Sequence, residues 1–416
     1  MIFHREYLLF RTIAIALAFL ILLIVVLNNK RLLCFCLLAI SSIVIFNFTS
    51  PRTNSQLNNI NSEIEIDSFY SDLKEIKFNQ KPNVYIIGFL AASPSSVLKK
   101  TINISSSPFE EALKDNDFSI FKNTFSDAYP TRNAYASLFS LTDSVYKKII
   151  PKERGYAFSG LKRSPLVTIF QSNGYAVTTV ADDYKFGRPG GLHVDNYLVN
   201  KEFTLCKSDY YPEYVRNMMF FGACFIRNHE IFSNRKSESS SNFLISNIQN
   251  QSVNFKPQLL IAHLKPPIHA PSNITLDSNQ NGVKAFRKHY LTAAQRAADN
   301  LIRIKEAILE KDQSAVILIL GDSGVQISSK LYNQKNNDKL VIQDNFGVLA
   351  AVYPRDTCRV SYDKELSKGY ITTVEIIRAL VNCFSGQENT FPQSYMIRRA
   401  NIQNSFLDFS NYLYDD

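Results

Sequence analysis

The chain has 416 residues, 45% hydrophobic and 20% charged, which suits one large globular domain with an addition and is too apolar for a disordered chain. Its 14 Gly and 6 Cys, with no tract dominated by one residue, exclude collagen-like, disulfide-scaffold and low-complexity classes. Of the net charge of +9, Arg5, Arg11, Lys30 and Arg31 against Glu6 place +3 in the first fifty residues, and the rest is spread without a basic run, so no nucleic-acid partner is expected.

Two uncharged stretches open the chain, Thr12 to Leu27 and Leu32 to Phe48, with only NNKR between them. Each is near the lower limit of about 17 to 25 residues for a membrane span, and Leu8 to Phe10 can lengthen the first. A signal peptide would lead to a small-residue cleavage site and a polar mature start rather than a second span. The pattern therefore predicts a transmembrane hairpin over 1–50, with the amino terminus and the large domain on one side. Lys30 and Arg31 in the turn oppose Arg5 and Arg11, so the positive-inside count is nearly balanced.

From 51 to 80 the composition turns polar, rich in Asn and Ser and mildly acidic (Glu63, Glu65, Asp67, Asp72, Glu75), the mark of a linker. Over 81–416, apolar runs bounded by turn residues alternate with helical patterns. The expected strands are Asn83 to Phe89, Tyr175 to Ala181, Gln258 to Leu264, Ala315 to Leu320 and Phe346 to Tyr353. Their unbroken apolar character means that both faces are covered, so the fold class is α/β, a largely parallel central sheet with helices on both faces. Ser164-Pro165 opens a helix that Gly174 closes, Leu291 to Lys311 carries an apolar stripe, and Thr372 to Glu375 fits a capping box. Loops are expected at Ser237 to Asn242, Ser272 to Gly282 and Ser328 to Asp338. Cys206 with Cys224 and Cys358 with Cys383 are sequence-local pairs, read either as disulfides of an oxidising compartment or as four buried thiols.

In an open α/β sheet ligands bind at the carboxyl ends of the strands. There stand GFLAASP, ADDYKFG, HLKPPIHAP and GDSG, and FSDAYPTRNAYASLFSLT places Thr131 at the start of a helix. A hydroxyl there meets unpaired backbone N–H groups and the positive end of the helix dipole, a seat for a phosphate or sulfate, although an ordinary helix cap reads the same way. Asp182 and Asp183, with His193 and Asp195 nearby, offer a weaker hard-cation alternative. His263 lies inside a strand pattern and reads as structural. There is no GxSxG, no Walker sequence and no CxxC.

The series PNVYIIGF, FKNTFSDAYPTRNAYASLFSLT, HLKPPIHAP, ILILGDSG and GYITTVEIIRALV resembles, in its order, the alkaline phosphatase and sulfatase superfamily over about Lys81 to Phe384. Within it, the chain looks most like the membrane-anchored sulfatase-like and phosphoethanolamine transferase branch. The resemblance implies a metal-dependent (Zn or Ca/Mg) enzyme of envelope phosphate or sulfate esters, with membrane, lipid or envelope glycan as partners. It also implies an extracytoplasmic domain, at the cytoplasmic membrane if the source is bacterial. It assigns the nucleophile slot to Thr131 and substrate contacts to Arg132, Lys265 and His269, the last a substrate-side or metal-side histidine. A sulfatase frame would put the nucleophile at Ala128 but needs three extra residues after Arg132, and the ungapped frame on Thr131 is favoured. The family's acidic residue after the first strand is here Leu90, and its Asp-His pair before glycine is Asp322-Ser323-Gly324. Leucine has no lone pair and neutral serine is a poor zinc ligand, so Asp322 alone survives of these three and metal binding is expected to be weak or absent. Enzyme status stays open between an impaired hydrolase or transferase, a tethered pseudoenzyme that binds or assembles, and an enzyme with relocated ligands.

Overall fold

The structure, a computed structural model, describes residues 73–128, 131–141, 164–181, 193–199, 240–250, 256–270, 279–328, 339–387, 391 and 412–414. The transmembrane hairpin, Asp182, Asp183 and the Cys206–Cys224 pair lie outside the described residues. No described helix is long and apolar enough to cross a membrane.

Seven strands form the main sheet in the order β2-β8-β7-β1-β6-β4-β5: β1 (Val84–Phe89), β2 (Ser119–Ile120), β4 (Ala176–Ala181), β5 (Asn196–Val199), β6 (Gln258–Leu264), β7 (Val316–Gly321) and β8 (Ala350–Tyr353). From β7 to β5 every neighbouring pair is parallel, while β8 runs antiparallel to both β7 and β2. A separate parallel pair joins β3 (Thr124–Phe125) to β9 (Ile371–Thr372). The expected strand Phe346 to Tyr353 is cut short, because Phe346 closes a helix and the strand starts at Ala350.

The helices are α1 (Ser95–Ile102), α2 (Pro108–Asp115), α3 (Thr131–Ser140), α4 (Pro165–Ser172), α5 (Ser240–Asn250), α6 (Asn279–Lys311), α7 (Lys339–Phe346), α8 (Arg359–Leu366) and α9 (Thr373–Ser385). Strand alternation divides them between two faces. Tyr85, Ile87 and Phe89 of β1 join Leu260, Ala262, Leu264, Ile317 and Ile319 in one apolar core with α1, α2, α5 and α6. The intervening residues, Ile86, Gly88 and Leu320 among them, face α3, which contacts α4 and α9. Full burial of a side chain of this size contributes roughly 1.5–3 kcal/mol, so such runs suffice to organise the sheet.

Three local expectations change. Helix α6 begins at Asn279 rather than Leu291, because Phe286 and Tyr290 carry the buried stripe a further two turns back. Ser240 starts α5, whose Leu244, Ile245 and Ile248 are buried, where a loop was expected over Ser237 to Asn242. The folded body also starts before Lys81: Leu73, Ile76 and Phe78 are buried, and the Phe78 ring packs edge-on against Phe170, Tyr175 and Phe384. Cys358 and Cys383 form a disulfide that ties the start of α8 to α9.

Candidate functional site

The central register builds the site. Phe89 pairs with Leu264 on one side and Gly321 on the other, so Leu90, Lys265 and Asp322 are the first residues beyond three adjacent strands. The backbone pattern continues one step further, Leu90 N–H donating to Leu264 O (2.9 Å) and Asp322 N–H to Phe89 O (3.2 Å). Asp322 then turns back, and its Oδ1 accepts from Ala91 N–H at 3.0 Å.

The two glycines of GDSG are demanded by packing. A Cβ at Gly321 would lie 2.6 Å from Ala92 O and 2.8 Å from Val348 Cβ, and one at Gly324 would lie 1.8 Å from Asp344 O. Between them Ser323 is fully buried, and its hydroxyl donates to Asp322 Oδ1 at 3.3 Å. Ser126, just before α3, holds the same turn from the other side, its Oγ 2.7 Å from Asp322 O. That contact brings the start of α3, with Thr131, to the end of β7 beside the Asp322 carboxylate. Leu90, Thr131 and Asp322 thus converge at one end of the sheet although they are far apart in sequence.

His263, read from the sequence as a structural residue of a strand, lies buried inside β6 and also stands beside Asp322. It pairs with Gly88 across the β1–β6 ladder and faces α3. Gly88 leaves that face empty, since a Cβ there would lie 1.7 Å from the Tyr135 hydroxyl. The Tyr135 ring fills the space and meets the imidazole edge-on at 5.4 Å. His263 Nε2 and Asp322 Oδ2 stand 3.5 Å apart, close but without a hydrogen bond to Oδ2, with the two side chains 1% and 0% exposed. Only the alternation in AHL, which sends the histidine to the face opposite Ala262 and Leu264, could have flagged it.

Burial pushes the Asp322 carboxyl up, but the adjacent His263, then the His269 charge and the Thr131 hydroxyl, together overcome this and hold it below its ordinary value. The Tyr135 phenol is pushed well up, by burial first and then by the Asp322 charge. A cavity of about 20 Å³ lies between Gly88, Ser126, Tyr135, Asp322 and Thr373, room for one water.

The remaining expected site residues divide. His269 is half-buried in the loop after β6, which Ala270 N–H ties to Val325 O at 3.1 Å, beside the turn carrying Asp322. Lys265 is half-buried at the head of that loop. The side chain of Arg132 lies outside the described residues, as do Asp182 and Asp183. His193 does not join the site: the parallel register sets Asn196 against Thr178, so His193 and Asp195 lie at the amino end of β4, at the opposite edge of the sheet from Asp322. Asp195 there accepts Val177 N–H at 2.7 Å, a structural use.

A divalent ion of the kind the resemblance implies needs several charged or imidazole donors converging on one point. Among the described residues no group of three or more His, Cys, Asp or Glu is placed to hold one. Around Asp322 stand the hydroxyls of Thr131 and Ser323 and the His263 imidazole, with His269 near enough to act by charge, and its Oδ1 is already engaged by a backbone N–H. This donor set does not fit a tightly held zinc.

No family model and no curated protein matches the chain. Among solved structures, the periplasmic domain of phosphoethanolamine transferase EptC from Campylobacter jejuni is 11% identical, with 76% of this chain and 92% of that one covered and a TM-score of 0.47. The PsFucS1 sulfatase from Pseudoalteromonas sp. is also 11% identical, covering 86% and 76%, with a TM-score of 0.45. An alkaline phosphatase superfamily protein from Vibrio parahaemolyticus is 10% identical, covering 80% and 79%, with a TM-score of 0.44. The chain is similar to phosphoethanolamine transferase and sulfatase domains.

Proposed function

We propose that this chain is a membrane-tethered, extracytoplasmic, sulfatase-like protein derived from enzymes of envelope phosphate or sulfate esters, with its ester-cleaving power impaired. Thr12 to Leu27 and Leu32 to Phe48 supply the tether, and an envelope lipid or glycan ester is the substrate class. Thr131 keeps the nucleophile seat at the start of α3, and Arg132, Lys265 and His269 are the substrate-side groups. The observation that carries the reading is the donor set at Asp322: Oδ1 is engaged by Ala91 N–H and the Ser323 hydroxyl, Oδ2 faces His263 Nε2 at 3.5 Å without a hydrogen bond, and among the described residues no group of three or more His, Cys, Asp or Glu is placed to hold an ion. So short a set of charged donors gives a Lewis acid little to bind, and the electrostatic stabilisation that such an ion supplies is the larger part of ester cleavage.

The test is zinc content and turnover on the purified full-length protein, without chelator. We expect less than one zinc per chain and slow or undetectable hydrolysis of simple phosphate and sulfate esters. One tightly held zinc per chain would overturn the reading. A second reading, a non-catalytic binding or assembly protein, is favoured by the same shortage of charged donors at Asp322 among the described residues. Residual turnover that Thr131→Ala abolishes separates the first from the second.

A further inference from the structure

We propose that the channel between β2 and α8 is a second binding site, taking a stretch of anionic glycan whose sugar rings carry sulfate or phosphate. The inference rests on the reading of the chain as a sulfatase-like protein of envelope glycan esters, and deepens it by naming where a neighbouring part of the same polymer is held.

The channel has a volume of about 510 Å³, within the roughly 300–1,000 Å³ usual for ligand sites. Among the described residues it shares no lining residue with the cavity at Asp322. One wall is the sheet edge from Ser119 to Asn123, and the other is α8. Both walls run toward the same end of the sheet. Phe121 N–H donates to Ala350 O at 2.9 Å and Ala350 pairs with Leu320, so Lys122 and Asn123 stand two strands, roughly 10 Å, across from the turn that carries Asp322. Helix α8 starts soon after β8 ends beside Ile317, and it closes shortly before Ile371, whose N–H donates to Asn123 O at 3.2 Å. An occupant lying along the channel therefore points its leading end toward the Asp322 centre.

The lining suits a charged sugar chain. Its floor is apolar: the Phe121 and Tyr362 rings, 6% and 2% exposed, meet edge to face with centroids 4.8 Å apart. The Tyr362 hydroxyl has no hydrogen-bond partner among the described residues, so the protein leaves a polar group of this floor unanswered. Around the floor the half-buried Ser119 and Asn123 bring groups that can exchange hydrogen bonds with sugar hydroxyls. Lys122, Arg355 and Arg359 face Asp356 and Asp363, an excess of positive charge. Both carboxylates are drawn to Arg359, at 3.6 Å and 3.7 Å. Arg355 is exposed and has no ion pair or hydrogen bond among the described residues. A guanidinium so placed presents a planar fork of N–H donors that matches two oxygens of a sulfate or phosphate. Arg355 lies near the start of the channel and Lys122 near its end, so positive charge recurs along its length as negative charge recurs along a polyanionic chain.

The experiment titrates the full-length protein calorimetrically, at low salt, with a sulfated tetrasaccharide, a phosphorylated one, their uncharged parent, inorganic sulfate and inorganic phosphate. At least one charged tetrasaccharide should bind about tenfold or more tightly than the parent and than the matching inorganic ion, and the tighter of the two names the charge. Arg355→Ala should weaken that binding about fivefold or more with an unchanged melting midpoint, and Arg355→Lys should keep part of it. Thr131→Ala, altered beside Asp322, should bind as the wild type does. No binding of either charged tetrasaccharide would overturn the inference, as would an affinity that Arg355→Ala leaves untouched or that Thr131→Ala removes. Inorganic ions binding as tightly as the charged sugars would overturn the assignment to a glycan. One tightly held zinc per chain would instead sink the reading of the Asp322 centre, which this titration does not measure.

Discussion

At the scale of single residues, the site depends on atoms that are absent as much as on those present. Gly324 passes so close to Asp344 O that no side chain fits, and the listening surface there is backbone, which cannot swing away. Gly324→Ala should therefore cost about 3 kcal/mol or more in chemical denaturation. At Gly88 the obstacle is instead the tip of a side chain, the Tyr135 hydroxyl. Gly88→Ala should be strongly destabilising alone, and combining it with Tyr135→Phe should recover roughly 1 kcal/mol relative to the sum of the single changes. A double-mutant cycle read by urea unfolding checks this, and strict additivity would refute the contact. The same residues show what was legible beforehand. Asp322 and Thr131 could be singled out because a strand end and a helix start are local features. His263 could not, because its meaning depends on which face of the sheet it shares with α3, and that is a matter of register between distant segments.

At the scale of elements, the helices around the site are capped by one another. Glu110 in the first turn of α2 accepts Ser95 N–H of α1 at 2.8 Å, and Ser95 Oγ accepts Ser107 N–H at 3.0 Å. Burial pushes the Glu110 carboxyl up, but Lys114 and Ser95 outweigh this and its pKa lies below the ordinary glutamate value. The carboxylate's contribution is thus fully present above the ordinary glutamate range and is lost as pH falls through the lowered value. Glu110→Gln should cost about 1 kcal/mol at neutral pH, with the gap to wild type closing under acid conditions. At the other end of the site, Asp127 Oδ2 accepts from Thr373 Oγ1 (2.9 Å) and Val374 N–H (2.8 Å), adding to the Thr372–Glu375 capping box of α9. Asp127→Ala should lower stability by about 1 kcal/mol, measured as a shifted denaturation midpoint with an unchanged slope. The capping box was readable in the sequence because it is written within four residues. The Asp127 cap was not, because its donor and acceptor lie 246 residues apart.

At the scale of the whole molecule, the disulfide Cys358–Cys383 closes a loop with a sequence separation of 25. In the chain-entropy account a loop of this length is worth about 3.5 kcal/mol, so Cys358→Ser with Cys383→Ser should lower the unfolding free energy by roughly that amount. An unchanged midpoint under reducing conditions would contradict it. What the sequence determined by itself is what short-range physics can write: the apolar runs of β1, β6 and β7, the stop and start signals of α4 and α9, and the strand-end positions of Leu90 and Asp322. These follow from hydrophobic periodicity and turn chemistry within one segment. Only the tertiary structure decided the early start of α6, the removal of His193 to the far edge of the sheet, and the pairing of His263 with Asp322. Each of those depends on the register of separate parallel strands and on which helix covers which face, and these are set by long-range packing that no local window of the chain contains.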